Sequence, residues 1–253
     1  MLSVTGVVVR MDLLIKRYSK LIALLGLLAS SSLVYAQEEE DEFFFFEEDA
    51  FEEDIADPFE SVNRVMFNFN DKLYRLILSP VVKTYRLIPE GARVSISNFY
   101  TNLTTPVSAI NALLQLDLPN AGSEVSRFAL NSTIGILGLF DPATRWGFEQ
   151  DREDFGQTLA HYGVGHGFYL VLPLISFSSL RDATGRLGNS ALNPTNYIWD
   201  PELDDWIAFQ ALDTVNDFSF DVDIYTSLYD SALDPYVFFR SAYVQNREGA
   251  VNR

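Results

Sequence analysis

The chain has only two histidines, His161 and His166, and they lie five residues apart in a glycine-rich stretch. A helical histidine pair that holds zinc takes a spacing of four with a carboxylate beside it, as in H-E-x-x-H, and that pattern does not occur. The G-x-S-x-G elbow of a lipid-cleaving serine hydrolase does not occur either. The run Gly163-Val-Gly-His-Gly167 looks superficially like a phosphate loop. It lacks the following Gly-Lys-Ser/Thr, and the dinucleotide version needs a third glycine at another offset and a strand before it. The carboxylate pairs Glu153-Asp154 and Asp204-Asp205 are adjacent, so on a helix they diverge, as residues of a solvated face do. Enzymatic activity is therefore not expected, nor is a metal or a cofactor.

Two apolar segments rich in glycine fit an ordinary soluble bundle poorly: Ile134 to Phe140, with Gly135 and Gly138, and Gly163 to Ile175, with Gly163, Gly165 and Gly167. Neither reaches the roughly 20 residues of a spanning helix. They read either as buried core in which glycine permits close packing, or as a flexible apolar wall beside a lipid path.

The elements around them are helical. Val62, Val65, Met66, Phe69, Leu73, Leu76 and Ile77 recur at helical spacing, with Asn63, Asn70, Asp71 and Arg75 on the polar side and Asp57-Pro58 as cap and first residue. Further helices are expected from Pro80 to Leu87, Pro89 to Leu103, Pro106 to Leu116, Asn120 to Ile134, Ser178 to Leu187, Asp204 to Leu228 and Ala232 to Arg247. Phe168 to Leu174 could be a short strand. The expected fold class is mainly α, with residues 55–250 forming a single domain.

Lys16, Arg17 and Lys20 precede an apolar run, Leu21 to Val34, that ends in Val34-Tyr35-Ala36, which reads as a signal peptide over 1–36, with Met11 as an alternative start. Residues 37–54 form an acidic segment: from Glu38 to Asp54 there are 11 acids, no bases and the aromatic run Phe43 to Phe46. Like charge this dense resists folding, so a disordered tether is expected, its phenylalanines suited to docking at a surface. A formal net charge of -17 with no clustered Lys/Arg argues against nucleic acid as a partner. There is no cysteine, so packing or a membrane or partner surface must supply the stability that disulfides give other exported domains.

Four ordered blocks carry a resemblance: Asp57 to Asn70 (DPFESVNRVMFNFN), Asn131 to Thr144 (NSTIGILGLFDPAT), Glu153 to Pro173 (EDFGQTLAHYGVGHGFYLVLP) and Asp234 to Tyr243 (DPYVFFRSAY). Together, in this order and at these spacings, they resemble the MlaA/VacJ family of outer-membrane lipid-asymmetry proteins. The likeness runs from about Asp57 to Gly185 and returns at Asp234 to Glu248; 186–233 matches weakly. The chain departs from the family at Leu116, where glycine is common, and at Ser176-Phe177, where Gly-Pro is usual. Without a cysteine it also lacks the lipid-modified residue common in the family.

The resemblance implies a single ring-like domain of short amphipathic helices, monotopic in the periplasmic leaflet of a Gram-negative outer membrane, with an amphipathic channel. It implies phospholipid as cargo, an outer-membrane porin trimer and a soluble periplasmic lipid carrier as partners, and removal of mislocalised phospholipid from the outer leaflet. On that reading the glycines Gly135, Gly138, Gly163, Gly165 and Gly167, with Phe140, form a gating element or its apolar wall, while Asn63, Arg64, Asn131 and Asp141 organise polar surfaces. Helix capping and buried hydrogen bonds would also account for those four polar residues. Two other functions stay open: a porin-associated tethering protein without transport, and a lipid hydrolase.

Overall fold

The computed structural model describes residues 55–174, 176–198 and 202–252. The expected signal peptide and acidic tether lie outside them. In chain order the elements are α1 (Glu60–Leu73), a π-helical turn (Tyr74–Leu78), α2 (Ser79–Tyr85), α3 (Glu90–Leu114), α4 (Leu118–Thr133), α5 (Pro142–Arg145), α6 (Phe155–His161), β1 (Tyr169–Leu172), β2 (Ser176–Ser179), α7 (Leu180–Leu192), α8 (Thr195–Ile198), α9 (Leu203–Ser231) and α10 (Pro235–Val251). The fold is mainly helical, as expected. Among the described residues no helix is long and apolar enough to cross a membrane.

Contacts between elements run in a closed circuit: α1 packs on β1, β1 pairs with β2, β2 meets α7, and α7 crosses α6. From there α6 touches α3, α3 touches α9, α9 packs on α2, and α2 returns through the π turn to α1. Such a circuit is a ring, with α4 hung outside on α3 and α10 bracing α6 and β2. Where α6 crosses α7 the backbones nearly touch, since a Cβ built on Gly185 would lie 2.6 Å from the Gly156 nitrogen. Only glycine at both positions allows that approach.

The periodicity of α1 is as expected, but its orientation is inverted. Val62 and Val65, on the apolar stripe, are 57% and 60% exposed, and Phe69, Leu76 and Ile77 are also exposed, whereas Asn63, Phe67, Asp71 and Tyr74 are buried. Asp57 does not cap this helix; the N-cap is Phe59, without a side-chain bond. Asp57 instead accepts hydrogen bonds from Asn63 (2.8 Å), the Tyr236 hydroxyl and Arg240 (3.3 Å). Its carboxylate is thus spent on joining the two ends of the domain rather than on local helix geometry.

The two helices expected on either side of Pro106 are one, α3, with Pro106 inside it. In the turn before the proline, the Thr104 and Thr105 hydroxyls donate to the carbonyls of Tyr100 and Thr101, while the Asn102 carbonyl, four residues before the proline, receives no N–H from it. The expected short strand is present as β1, and its antiparallel partner β2, with Tyr169 opposite Ser179 and Leu172 opposite Ser176, was not foreseen. An aromatic core fills the space between α1, the hairpin, α9 and α10: Phe67 stacks on Tyr229 at 5.8 Å, Phe177 on Phe239 at 5.4 Å, and Tyr225 on Phe239 at 5.3 Å.

Leu116 shows what the departure from glycine costs. It follows the C-cap of α3 with φ 64°, and the bonds Leu116 N–H to Leu113 O (3.0 Å) and Asp117 N–H to Ala112 O (2.9 Å) form a Schellman ending. A leucine there bears about 1–2 kcal/mol of left-handed strain, against roughly 0.5–1 kcal/mol of extra chain entropy that glycine must lose. Leu116→Gly is therefore expected to raise the unfolding free energy by about 0.5–1 kcal/mol, read as a higher denaturant midpoint with an unchanged m-value.

Candidate functional site: a polar cleft inside an apolar shell

Where α2 and α3 meet α9 the contacts are polar. On α9, Asp213, Asp217 and Asp221 lie four residues apart and share one face. Beside them the Tyr85 hydroxyl donates to Asn216 Oδ1 (2.8 Å), Arg93 donates to Ser219 Oγ (2.6 Å), and the Tyr100 hydroxyl donates to the Phe209 carbonyl (2.8 Å). Burial, helped by the next carboxylate along the helix in each case, pushes the Asp213 and Asp217 carboxyls above the usual carboxylate range against the pull of Arg152. Burial likewise draws the Arg152 guanidinium down to about 9, against the opposing pull of Asp217 and Asp213.

At this level a cleft of about 140 Å³ opens between α3, α4 and the segment 148–153. Ser97, Asn98 and Thr101 line it from α3, Arg127 and Asn131 from α4, and Asp141, Gln150 and Arg152 from the connecting segments. Arg127, 2% exposed, donates to Asp141 (2.8 Å), to the Thr144 hydroxyl (2.9 Å) and to the Phe148 carbonyl. Asn131 bridges Asp141 Oδ1 (3.0 Å) and the Ala143 amide (3.1 Å). Asp141 also caps α5 by accepting from the Thr144 amide (3.1 Å). Burial raises the Asp141 carboxyl, but Thr144 and Arg127 outweigh it and hold that carboxyl below the ordinary range. Arg127 Nε and Asn102 Oδ1 are buried without partners.

The segment between α4 and the cleft is strained. Ile136, Leu137 and Gly138 take φ of 54°, 59° and 91°, three left-handed residues in succession, and two of them carry side chains that disfavour it. The turn is fastened by Leu137 N–H to Ser132 O (3.0 Å), Gly138 N–H to Asn131 O (2.8 Å) and Phe140 N–H to Gly135 O (2.9 Å). A Cβ on Gly135 would meet the Phe140 carbonyl at 2.3 Å, and one on Gly138 would meet Asn102 Cβ at 2.4 Å. The turn turns its apolar residues outward: Ile134, Ile136, Leu137 and Phe140 are all exposed.

Asn131, Gly135, Gly138, Phe140 and Asp141 thus come together. The other sequence-predicted residues do not join them. Asn63 is buried in α1, where it accepts from the Val171 amide (2.9 Å) and donates to the Tyr169 carbonyl (3.1 Å), pinning β1. Arg64 pairs with Asp234 through both terminal nitrogens (3.2 and 2.9 Å) and lies 4.4 Å from the centre of the Tyr236 ring. Gly163, φ 83°, closes α6, with Gly163 N–H to Ala160 O (2.8 Å) and Val164 N–H to Leu159 O (3.0 Å), a second Schellman ending. Gly167, φ 72°, abuts Leu180, while Gly165 has open space around it. Arg152, Asp213 and Asp217 escaped the sequence reading, because carboxylates four apart on a helix look like a solvated face until the ring turns that face inward.

Comparison with known proteins agrees with this architecture. Residues 55–250 match the family model described as MlaA lipoprotein. The chain is 33% identical over 203 residues to the "Intermembrane phospholipid transport system lipoprotein MlaA" of Shigella flexneri and likewise to that of Escherichia coli, covering 78% of this chain and 79% of each relative. A Rickettsia conorii protein is 39% identical over 200 residues, with coverage of 78% and 79%. Among solved structures, one described as "Structural basis for maintenance of bacterial outer membrane lipid asymmetry" aligns with a TM-score of 0.66 at 34% identity, over 78% of this chain and 99% of that one. With the family model matched over residues 55–250 and these relatives, the chain belongs to the MlaA lipoprotein family.

Proposed function

We propose that the protein removes mislocalised phospholipid from the outer leaflet of the outer membrane and passes it to a periplasmic carrier, lying in the periplasmic leaflet beside a porin trimer. The observation that carries this reading is the inverted helix α1. An apolar stripe that faces outward across three turns, while Asn63 and Asp71 are buried beside Phe67 on the other face, is stable where the surroundings are apolar. A phospholipid needs that same division, a polar path for its headgroup and an apolar boundary for its chains. Asn131 and Asp141 hold the polar cleft, and the strained turn from Gly135 to Phe140 beside it serves as the gate. Asn63, Arg64, Gly163 and Gly167 brace the ring around it.

The reading is tested by outer-leaflet phospholipid in a strain lacking this gene, measured with an amine-reactive dye that cannot cross the outer membrane. A rise reversed by the intact gene is expected. No rise, with related genes also absent, would favour a porin-associated tether that transports nothing.

A further inference from the structure

Between α5 and α6 the chain from Glu149 to Glu153 runs without regular structure, as a strap whose residues alternate in what they touch. The odd positions are tied to helices. The Ser123 hydroxyl donates to the Glu149 carbonyl (3.2 Å), Asn120 Nδ2 to the Asp151 carbonyl (3.0 Å) and the Asp151 amide to Glu124 Oε1 (3.3 Å). The Glu153 amide donates to Ser108 Oγ (2.9 Å), and Gln115 Nε2 donates to Glu153 Oε2 (2.6 Å). The even positions, Gln150 and Arg152, line the cleft. Loosening the ties on one side of the strap therefore moves two lining residues on the other.

Two of the side chains that make these ties end in an orphaned atom. Glu124 is 0% exposed and Asn120 9%, and Glu124 Oε2 and Asn120 Oδ1 are both buried without a hydrogen-bond partner. The two residues stand four apart on α4, so their side chains are neighbours, and each holds one backbone group of Asp151. With Glu124 ionised, two acceptors would lie side by side with no donor between them, a costly arrangement away from water. Turning the Asn120 amide over does not help, because its oxygen would then face the Asp151 carbonyl. A cation would need further ligands, and among the described residues there is no group of three His, Cys, Asp or Glu side chains that could hold a metal ion. One proton on Glu124 answers both atoms, since Oε2–H is then a donor and Asn120 Oδ1 its acceptor.

We propose that Glu124 is held as a neutral carboxylic acid whose hydroxyl donates to Asn120 Oδ1, and that this proton clasps the strap; when it leaves, the Asp151 ties loosen and Gln150 and Arg152 shift with them. The surroundings favour the proton. α3, packed along α4, has no charged residue from Val94 to Leu114. α4 itself contributes Arg127, which donates to Asp141, Thr144 and the Phe148 carbonyl, and Asp117 caps its start. The strap contributes Asp151 and Glu153, and Arg145 of α5 is exposed. Burial, the largest influence, pushes Glu124 up to about 7; the Asp151 amide and Arg127 oppose it, and repulsion from Asp151 and Glu153 adds to it. Burial also pushes Glu153 up to about 7, against the bond it accepts from Gln115.

A folded-state value above the unfolded one makes the clasp complete below the ordinary carboxyl range and lost as the pH rises toward about 7, beyond which nothing further changes. The test follows amide hydrogen exchange of the full chain in detergent micelles from about pH 5 to about pH 8. Corrected for intrinsic exchange, the Asp151 amide is expected to lose protection by about tenfold or more up to about pH 7 and then to level off, while the amides of Phe67 and Phe239 in the aromatic core keep theirs. Glu124→Gln keeps an acceptor for the Asp151 amide and supplies a permanent donor to Asn120, so its Asp151 amide is expected to stay protected throughout. Carbon NMR of labelled glutamate carboxyls needs no change at Glu124: in the native chain the Glu124 carboxyl, told from that of Glu153 by its persistence in Glu153→Gln, is expected to be protonated at about pH 6. Constant protection at Asp151, the same loss in Glu124→Gln, or a Glu124 carboxylate already ionised at about pH 6, as when water bridges the two oxygens, each overturns the proposal. None of these outcomes bears on the phospholipid-transport reading, which is decided by lipid in the outer leaflet.

Discussion

Asp182→Ala is expected to cost about 3–5 kcal/mol of stability, a large share of the roughly 5–15 kcal/mol that holds a domain folded. Asp182 is buried at the start of α7, where it joins three elements. Its carboxylate accepts from the Tyr243 hydroxyl and from Arg247 Nη2 (3.2 Å), forms an ion pair with Arg247 Nε at 2.7 Å, and takes a bond from Arg181 Nε (3.1 Å). Arg247 continues the network to Asp154, the capping residue of α6, through two bonds of 2.7 and 3.0 Å. Removing the carboxylate leaves Arg181 and Arg247 buried with less negative charge than positive. That is the costly case, since each guanidinium has already been taken out of water.

The sign of the pH dependence follows from the same contacts. Burial pushes the Asp182 carboxyl up, but Arg247, the Tyr243 hydroxyl and Arg181 outweigh it and hold it below the ordinary carboxylate range. A folded-state value below the unfolded one means the stabilisation is complete above the unfolded value and is lost as the pH falls through the folded one. The native chain should therefore lose stability in acid faster than Asp182→Asn, which begins lower and has no such proton to take up. Chemical denaturation at neutral pH and at about pH 3 measures both slopes. Equal slopes would remove Asp182 from the account of how α10 is locked onto α6 and α7.

How much of this was legible in the sequence depends on which physical signal each feature leaves. Helical spacing in α1 was plain because period alone reveals it, yet period does not say which face turns inward, and the apolar stripe proved to be outside. Pro106 looked like a boundary because proline removes a hydrogen bond, yet α3 runs on through it from Glu90 to Leu114 with that one bond missing. The strand β2, Ser-Phe-Ser-Ser, has too little apolar character to announce itself, and it exists because Tyr169 to Leu172 needs a partner. Asn131 and Asp141, expected to organise polar surfaces, meet in one hydrogen bond across the glycine turn between them. Asn63 and Arg64 were grouped with them in the sequence reading, but they brace the hairpin and α10, and only the tertiary fold separates the two groups.

Gly138→Val brings the largest local effect, because it meets two independent obstacles. The residue takes φ 91°, which costs a β-branched side chain at least about 1–2 kcal/mol, and its Cβ would overlap Asn102 Cβ at 2.4 Å, worth roughly another 1–3 kcal/mol of overpacking. The turn already bears Ile136 and Leu137 in the left-handed region and can take no further strain elsewhere. The variant is therefore expected to release the bonds from Leu137 and Gly138 to the end of α4, seen as faster hydrogen exchange at those two amides, while the aromatic core by Phe67 and Phe239 keeps its protection. Gly165→Val is the matched control, since nothing lies within 4 Å of its Cβ and its backbone is not left-handed. Pairing Gly138→Ala with Asn102→Gly separates the two obstacles, for the second change removes the overlap and leaves the backbone strain. If the turn gates the cleft, Gly138→Val raises outer-leaflet phospholipid as deletion of the gene does and Gly165→Val does not. Normal lipid asymmetry in a Gly138→Val strain whose turn has opened would show that the turn only seals α4 and moves nothing.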